Sequence, residues 1–161
     1  MQSKEDLEDH YKAPDPWGYK TNPDDAIRRK IISTLCQIYG QPSRVLDIGC
    51  GEGFILDEVL AISKEGIEIS DNATSRLSED IKRVTQPTGR YDIILCTGQL
   101  YEQYNYQTFT DWILDHAKGI VITSHYDQMT ELNTLPEDKI IFTAKFKYRE
   151  GFQNLHVYNF A

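Results

Sequence analysis

Residues 45–53 read VLDIGCGEG, and this stretch restricts the fold more than any other. Aliphatic residues start a strand, Asp47 interrupts it with a carboxylate, and glycine then takes positions 49, 51 and 53. A charge within a strand is costly unless a cation or a hydrogen-bond donor meets it. Glycines at this density weaken a strand, so they mark a place where the backbone must come close to another group. A buried strand that ends in such a loop suits an α/β layer structure, whose ligands sit beyond the carboxyl ends of parallel strands.

The rest of the chain supports that reading. Asn22 is a helix N-cap with Pro23 at the first helical position, and Asp24 and Asp25 lie at the positive end of the dipole. Ile27, Ile31, Leu35 and Ile38 then repeat at helical spacing until Gly40 and Pro42 end the helix. Short β runs follow at 44–48, 65–70, 81–84, 91–96 and 118–125, with helical segments at 54–61 and 108–117 and a helix or loop at 71–80. This alternation predicts a parallel sheet covered by helices on both faces. Residues 139–148 and 152–160 alternate apolar and polar side chains across Arg149-Glu150-Gly151, which predicts an antiparallel hairpin at one edge. The 161 residues fit one domain, 24–161, preceded by a tail and a proline-constrained loop at 1–23.

Composition narrows the partners. The net charge of -8 argues against a general phosphate-backbone binder, which needs a basic face. Cys36, Cys50 and Cys96 form no metal or disulfide pattern and read as reduced thiols of a cytoplasmic protein. The charged N-terminus has no apolar signal region, no segment is long and apolar enough for a membrane helix, and no His, Cys and carboxylate spacing predicts a metal.

Three ligands could explain the glycine loop. A dinucleotide loop needs GxGxxG, but Phe54 stands at the last glycine position. A phosphate loop needs GxxxxGK[ST], which is absent here. The third is a nucleoside whose other end is cationic and carries no phosphate. Asp47 would organise the cationic end, the glycines would let the backbone approach, and Glu68 would accept from the ribose hydroxyls.

VLDIGCGEG followed by GIEIS at 66–70 resembles the first two motifs of class I S-adenosylmethionine-dependent methyltransferases, and the likeness covers about residues 24–160. It implies a Rossmann-like sandwich, mostly parallel, with a C-terminal antiparallel hairpin. It also implies S-adenosylmethionine held by Asp47, Gly49, Cys50, Gly51, Gly53 and Glu68, with Cys96 and Thr97 bordering its methionine end. DPWGY (15–19), TGQLYEQY (97–104) and FKYREGFQNLHVY (146–158) further resemble small bacterial methyltransferases of carbohydrate-modifying clusters, such as nodulation-factor N-methyltransferases. That likeness implies a small-molecule acceptor, either a sugar or a nucleotide-linked sugar, methylated on oxygen or nitrogen.

The chain departs from the family between Glu68 and the fourth strand, where only about 22 residues stand. Thr85 or Asp80 could occupy the place of the usual adenine-binding acid, and Ile69 would pack on the ring. Trp17 and Tyr19 either cover the cofactor as a lid or seal the first core helix. Gln99, Tyr101 and Tyr104 are expected at the acceptor site, and Arg149 could reach an anionic group on the acceptor. His125, at the end of the fifth strand, is the first candidate for a general base, with Tyr101 beside it. Open alternatives are a protein or nucleic-acid acceptor and a non-catalytic cofactor-binding subunit, and the protein is expected to be a monomer or homodimer.

Overall fold

The computed structural model describes residues 3–41, 43–101, 103–132 and 135–161. Two helices come first, α1 (Lys4–His10) and α2 (Pro23–Tyr39). Then follow β1 (Arg44–Ile48), α3 (Phe54–Glu58), β2 (Ser63–Ile67), α4 (Asp71–Thr74), β3 (Ile81–Arg83), β4 (Tyr91–Thr97), α5 (Tyr106–His116) and β5 (Ala117–Tyr126). The hairpin β6 (Ile140–Tyr148) and β7 (Gly151–Asn159) ends the chain. The sheet runs β3-β2-β1-β4-β5-β7-β6. The first five of these strands are parallel, and β7 pairs antiparallel with both β5 and β6. Strand order reverses between β1 and β4, which opens a crevice beyond their carboxyl ends.

Two apolar layers flank the sheet. On one face, Ile32, Leu35 and Cys36 of α2 pack on Val45, Ile93, Leu95, Ile122 and Val157. On the other, Ile113 of α5 packs with Leu46, Ile94, Val121 and Tyr158. The central strands read as apolar runs because both their faces are covered.

The expected elements recur with three differences. The second strand spans Ser63–Ile67 rather than 65–70, so Glu68 follows the strand instead of ending within it. The helix after the glycine loop stops at Glu58 rather than near residue 61. On α2, the Asn22 side chain accepts from the Asp24 N–H as predicted. Its buried face, however, is Asp25, Arg29, Ile32, Ser33, Leu35 and Cys36, while Ile27 and Ile38 are 53% and 64% exposed. The apolar stripe extends beyond the sheet, so Ile27 and Ile31 line an open apolar groove with Phe142 and Phe146 of β6. Pro42, expected to help end this helix, lies outside the described residues.

Candidate functional site

Asp47 is paired in register with Gly66 of β2 and Leu95 of β4. It therefore stands at the strand-order reversal and is 2% exposed. Burial raises its pKa to about 7, Glu68 pushes the same way, and Arg28 opposes them. The loop after it folds over the end of β2, where the Gly49 and Cys50 N–H groups both donate to the Ile67 carbonyl (2.8 and 3.0 Å). Gly49 has φ +75°, and a Cβ there would fall 2.3 Å from the Gln99 side chain. Gly51, at φ +55°, leaves room for the Tyr11 hydroxyl, which a Cβ would meet at 2.8 Å.

Glu68 is fixed from two sides. Its Oε2 accepts from the Gly51 N–H (3.2 Å) and its Oε1 from the Ser70 N–H (3.0 Å). Burial raises its pKa despite these bonds. Asp47, Glu68 and the glycine loop share one cleft of about 610 Å³.

The N-terminal segment lies across this cleft. Asp15 has φ +48°, and its carboxylate accepts from the Tyr19 and Lys20 N–H groups (2.7 and 2.9 Å) while its own N–H donates to Glu52 (2.8 Å). The bend places Trp17 5.9 Å from Tyr19, nearly parallel, and 5.1 Å edge-on from Tyr11. All three rings line the cleft. Arg76 secures the segment by donating to the Tyr11 carbonyl (2.7 Å), and Glu8 accepts from the Asn72 N–H.

Most of the predicted site residues come together. Asp47, Gly49, Cys50, Gly51, Glu68, Ile69, Thr85, Thr97, Gln99, Tyr101, Tyr104, Trp17 and Tyr19 all line the cleft. Asp80, the alternative to Thr85, pairs with Lys64 (3.2 Å) on the surface. Four expectations need correction. Cys96 points into the α5 layer and is fully buried there. Gly53 caps α3 at φ +83° against Leu77 and Ile81, away from the cleft lining. Arg149 grips Asp25 (2.7 Å) and the Trp17 carbonyl (2.8 Å), so it holds the N-terminal segment and does not line the cleft.

The fourth is His125. Its position on β5 directs it to the α5 side of the sheet, where Nδ1 lies 2.9 Å from Glu131 Oε2 and the ring stacks 6.2 Å from His156. Desolvation, then the neighbouring His156, hold its pKa below the ordinary histidine value. It is absent from the cleft lining, so it does not reach the candidate reaction site as a base. Tyr101 does line the cleft, but burial raises its phenol to about 12, and its oxygen accepts from the Tyr126 N–H (2.7 Å). At neutral pH it is a hydrogen-bonding group and not a base.

Sequence reasoning missed Arg28. Its guanidinium enters the cleft, where it donates to the Thr97 carbonyl (3.1 Å) and to Ser124 Oγ (3.4 Å). An arginine in an amphipathic helix reads as solvent-facing. The signal was the Arg28-Arg29 pair so close to the loop, since Arg28 is half-buried and Arg29 is buried against the Tyr19 carbonyl.

The sequence profile of a methyltransferase domain matches residues 22–158. The chain belongs to this methyltransferase-domain family. No protein of curated function matches the sequence. Among solved structures, the methyltransferase fold is shared with the N-methyltransferase NodS of Bradyrhizobium japonicum WM9 in complex with S-adenosyl-L-homocysteine. That match has 15% identity and a TM-score of 0.79, over 99% of this chain and 98% of that one. Magnesium protoporphyrin IX methyltransferase of Synechocystis PCC 6803, with bound S-adenosylmethionine, aligns at 14% identity and TM-score 0.67 over 100% and 98% of the chains. The plantazolicin methyltransferase BpumL aligns at 18% identity and TM-score 0.55 over 78% and 58%. At these identities the likeness is one of fold. The methyltransferase has no helix, among the described residues, long and apolar enough to cross a membrane.

Proposed function

We propose that this methyltransferase uses S-adenosylmethionine to methylate an amino group on a sugar-like small molecule. The observation that carries the cofactor reading is the pair of carboxylates, buried Asp47 and half-buried Glu68, on either side of one glycine loop. Neither suits a phosphate, and together they suit a nucleoside with a cationic tail. Glu68, held by two N–H groups, keeps an oxygen face for the ribose hydroxyls. Ile69 and Thr85 supply the rim on that side, and Asp47 with Arg28 would meet the ammonium and carboxylate of the amino-acid end. When bound, the cofactor supplies a methyl group on sulfonium and a neutral leaving group.

The chain's own task is then orientation. A lone pair must be aligned ~3 Å from the methyl carbon, and water must be kept away. Trp17, Tyr19 and Tyr104 provide an apolar cover, while Gln99, Gln103, Asn105 and Gln153 offer amide groups to hydroxyls. Aromatic faces mixed with amides fit a hydroxyl-rich ring better than a fully apolar acceptor. With His125 outside the cleft and Tyr101 neutral, an acceptor that is nucleophilic without losing a proton is favoured, which selects an unprotonated amine over a hydroxyl.

The test is calorimetric titration with S-adenosylmethionine and S-adenosyl-L-homocysteine, on wild type and Glu68→Ala. Loss of charged hydrogen bonds worth ~1.5–3 kcal/mol should weaken binding about 10- to 100-fold. No binding to folded wild type would overturn the cofactor reading. Methylation confined to hydroxyl acceptors in a subsequent sugar and amino-sugar screen would overturn the amine reading.

A further inference from the structure

A second polar cluster lies on the α5 side of the sheet. Thr123 is in register with His156, and His125 with Asn154, so His125 and His156 are diagonal neighbours on one face of the β5–β7 pair. Their rings are 6.2 Å apart and 21° from parallel. Glu131 reaches the same spot from the segment after β5, where it forms an antiparallel bridge with Tyr101. One ligand atom from each of His125, Glu131 and His156 lies within 4.8 Å of the others.

Two further observations point to a ligand. Nδ1 of His156 and Oγ1 of Thr123 are buried and have no hydrogen-bond partner among the described residues. Buried polar atoms are normally satisfied, so this patch has room for a group that the described residues do not supply. Zinc holds nitrogen and oxygen ligands at ~2.0–2.2 Å, so those of one ion stand at most ~4.4 Å apart. Small side-chain rotations would close the cluster to that size.

We propose that His125, Glu131 and His156 form a binding site for a zinc-class divalent cation. Two imidazoles and one carboxylate suit a borderline metal, whereas magnesium and calcium prefer all-oxygen shells. Three protein ligands leave a fourth position for water. The ion would tie the segment carrying Glu131 to the β5–β7 pair. That segment is bridged to Tyr101, whose phenol accepts from Tyr126 next to His125, so the metal would steady the acceptor wall of the cleft from behind. None of the three ligands lines the cleft, so the inference stands apart from the methyl-transfer reading.

The experiment is titration of the metal-free full chain with cobalt(II), followed by absorbance, and with zinc(II) by calorimetry. One-to-one binding is expected, with zinc displacing cobalt and no sulfur-to-cobalt charge-transfer band, since the three cysteines take no part. His156→Gln and Glu131→Gln should each weaken binding by more than about tenfold, with circular dichroism confirming that both are folded. His156→Ala serves as a second variant at the same position if the glutamine fails to fold. No saturable binding by folded wild type, binding unchanged in the folded variants, or preference for magnesium would each overturn the site.

Discussion

Asp47 opposes folding in the free protein. Its pKa is about 7 in the folded chain and 3.8 as an ordinary carboxylate. Between those values the folded state keeps a proton that the unfolded state has lost, so stability falls as pH rises from about 4 to about 7 and stays low above that. Asp47→Asn should therefore raise the melting temperature of the free protein at pH 8 while leaving it almost unchanged at pH 4. The same change should weaken S-adenosyl-L-homocysteine binding, and wild-type affinity should rise with pH through about 7 as the carboxylate ionises. A variant that loses stability at pH 8 would show that Asp47 is satisfied within the protein. Glycine at 49 is a related case. Gly49→Ala combines φ +75° with a 2.3 Å approach to Gln99, so a loss of roughly 1–3 kcal/mol is expected in denaturant unfolding. Both residues were legible in the sequence because a carboxylate and glycines inside a strand pattern break local rules. Arg28, Glu131 and His156 were not, since each breaks no rule where it stands, and only the tertiary fold brings residues 125, 131 and 156 together.

At the scale of elements, the N-terminal segment and the β6–β7 turn act on one another. Asp25, 2% exposed, accepts from the Tyr148 hydroxyl and from Arg149, and Arg149 also donates to the Trp17 carbonyl. The hairpin turn, with Arg149 at φ +51°, is therefore part of the fastening of the cover. Trp17→Ala should lower cofactor affinity more than thermal stability, and Arg149→Ala should speed hydrogen exchange in residues 11–22. A large drop in melting temperature with unchanged affinity for Trp17→Ala would mean that the ring only seals the core. Strand positions were legible because apolar and β-branched runs between turn residues have few other uses. The buried face of α2 was not, because its apolar residues exceed what the sheet covers. Ile27 and Ile31 instead extend over β6, and the core takes Arg29 and Asp25.

Across the whole molecule, 25 acidic residues outweigh 17 basic ones. Fluorescence anisotropy in about 0.15 M salt should detect no binding of single-stranded RNA or duplex DNA. Micromolar binding with a steep salt slope would reassign the acceptor class. The order of strands adds a constraint of another kind. β7 lies between β5 and β6 although it follows both in sequence, so β6 joins the sheet only through β7. Until β7 exists, β5 offers an open edge lined by Ile120, Val121 and Ile122, all nearly or fully buried in the finished protein. The 33 residues that follow Tyr126, through Asn159, take ~2–7 s to add at ~5–20 residues per second. The time for which this central edge is open to another nascent chain is thus set by the ribosome and not by the rate at which the hairpin closes.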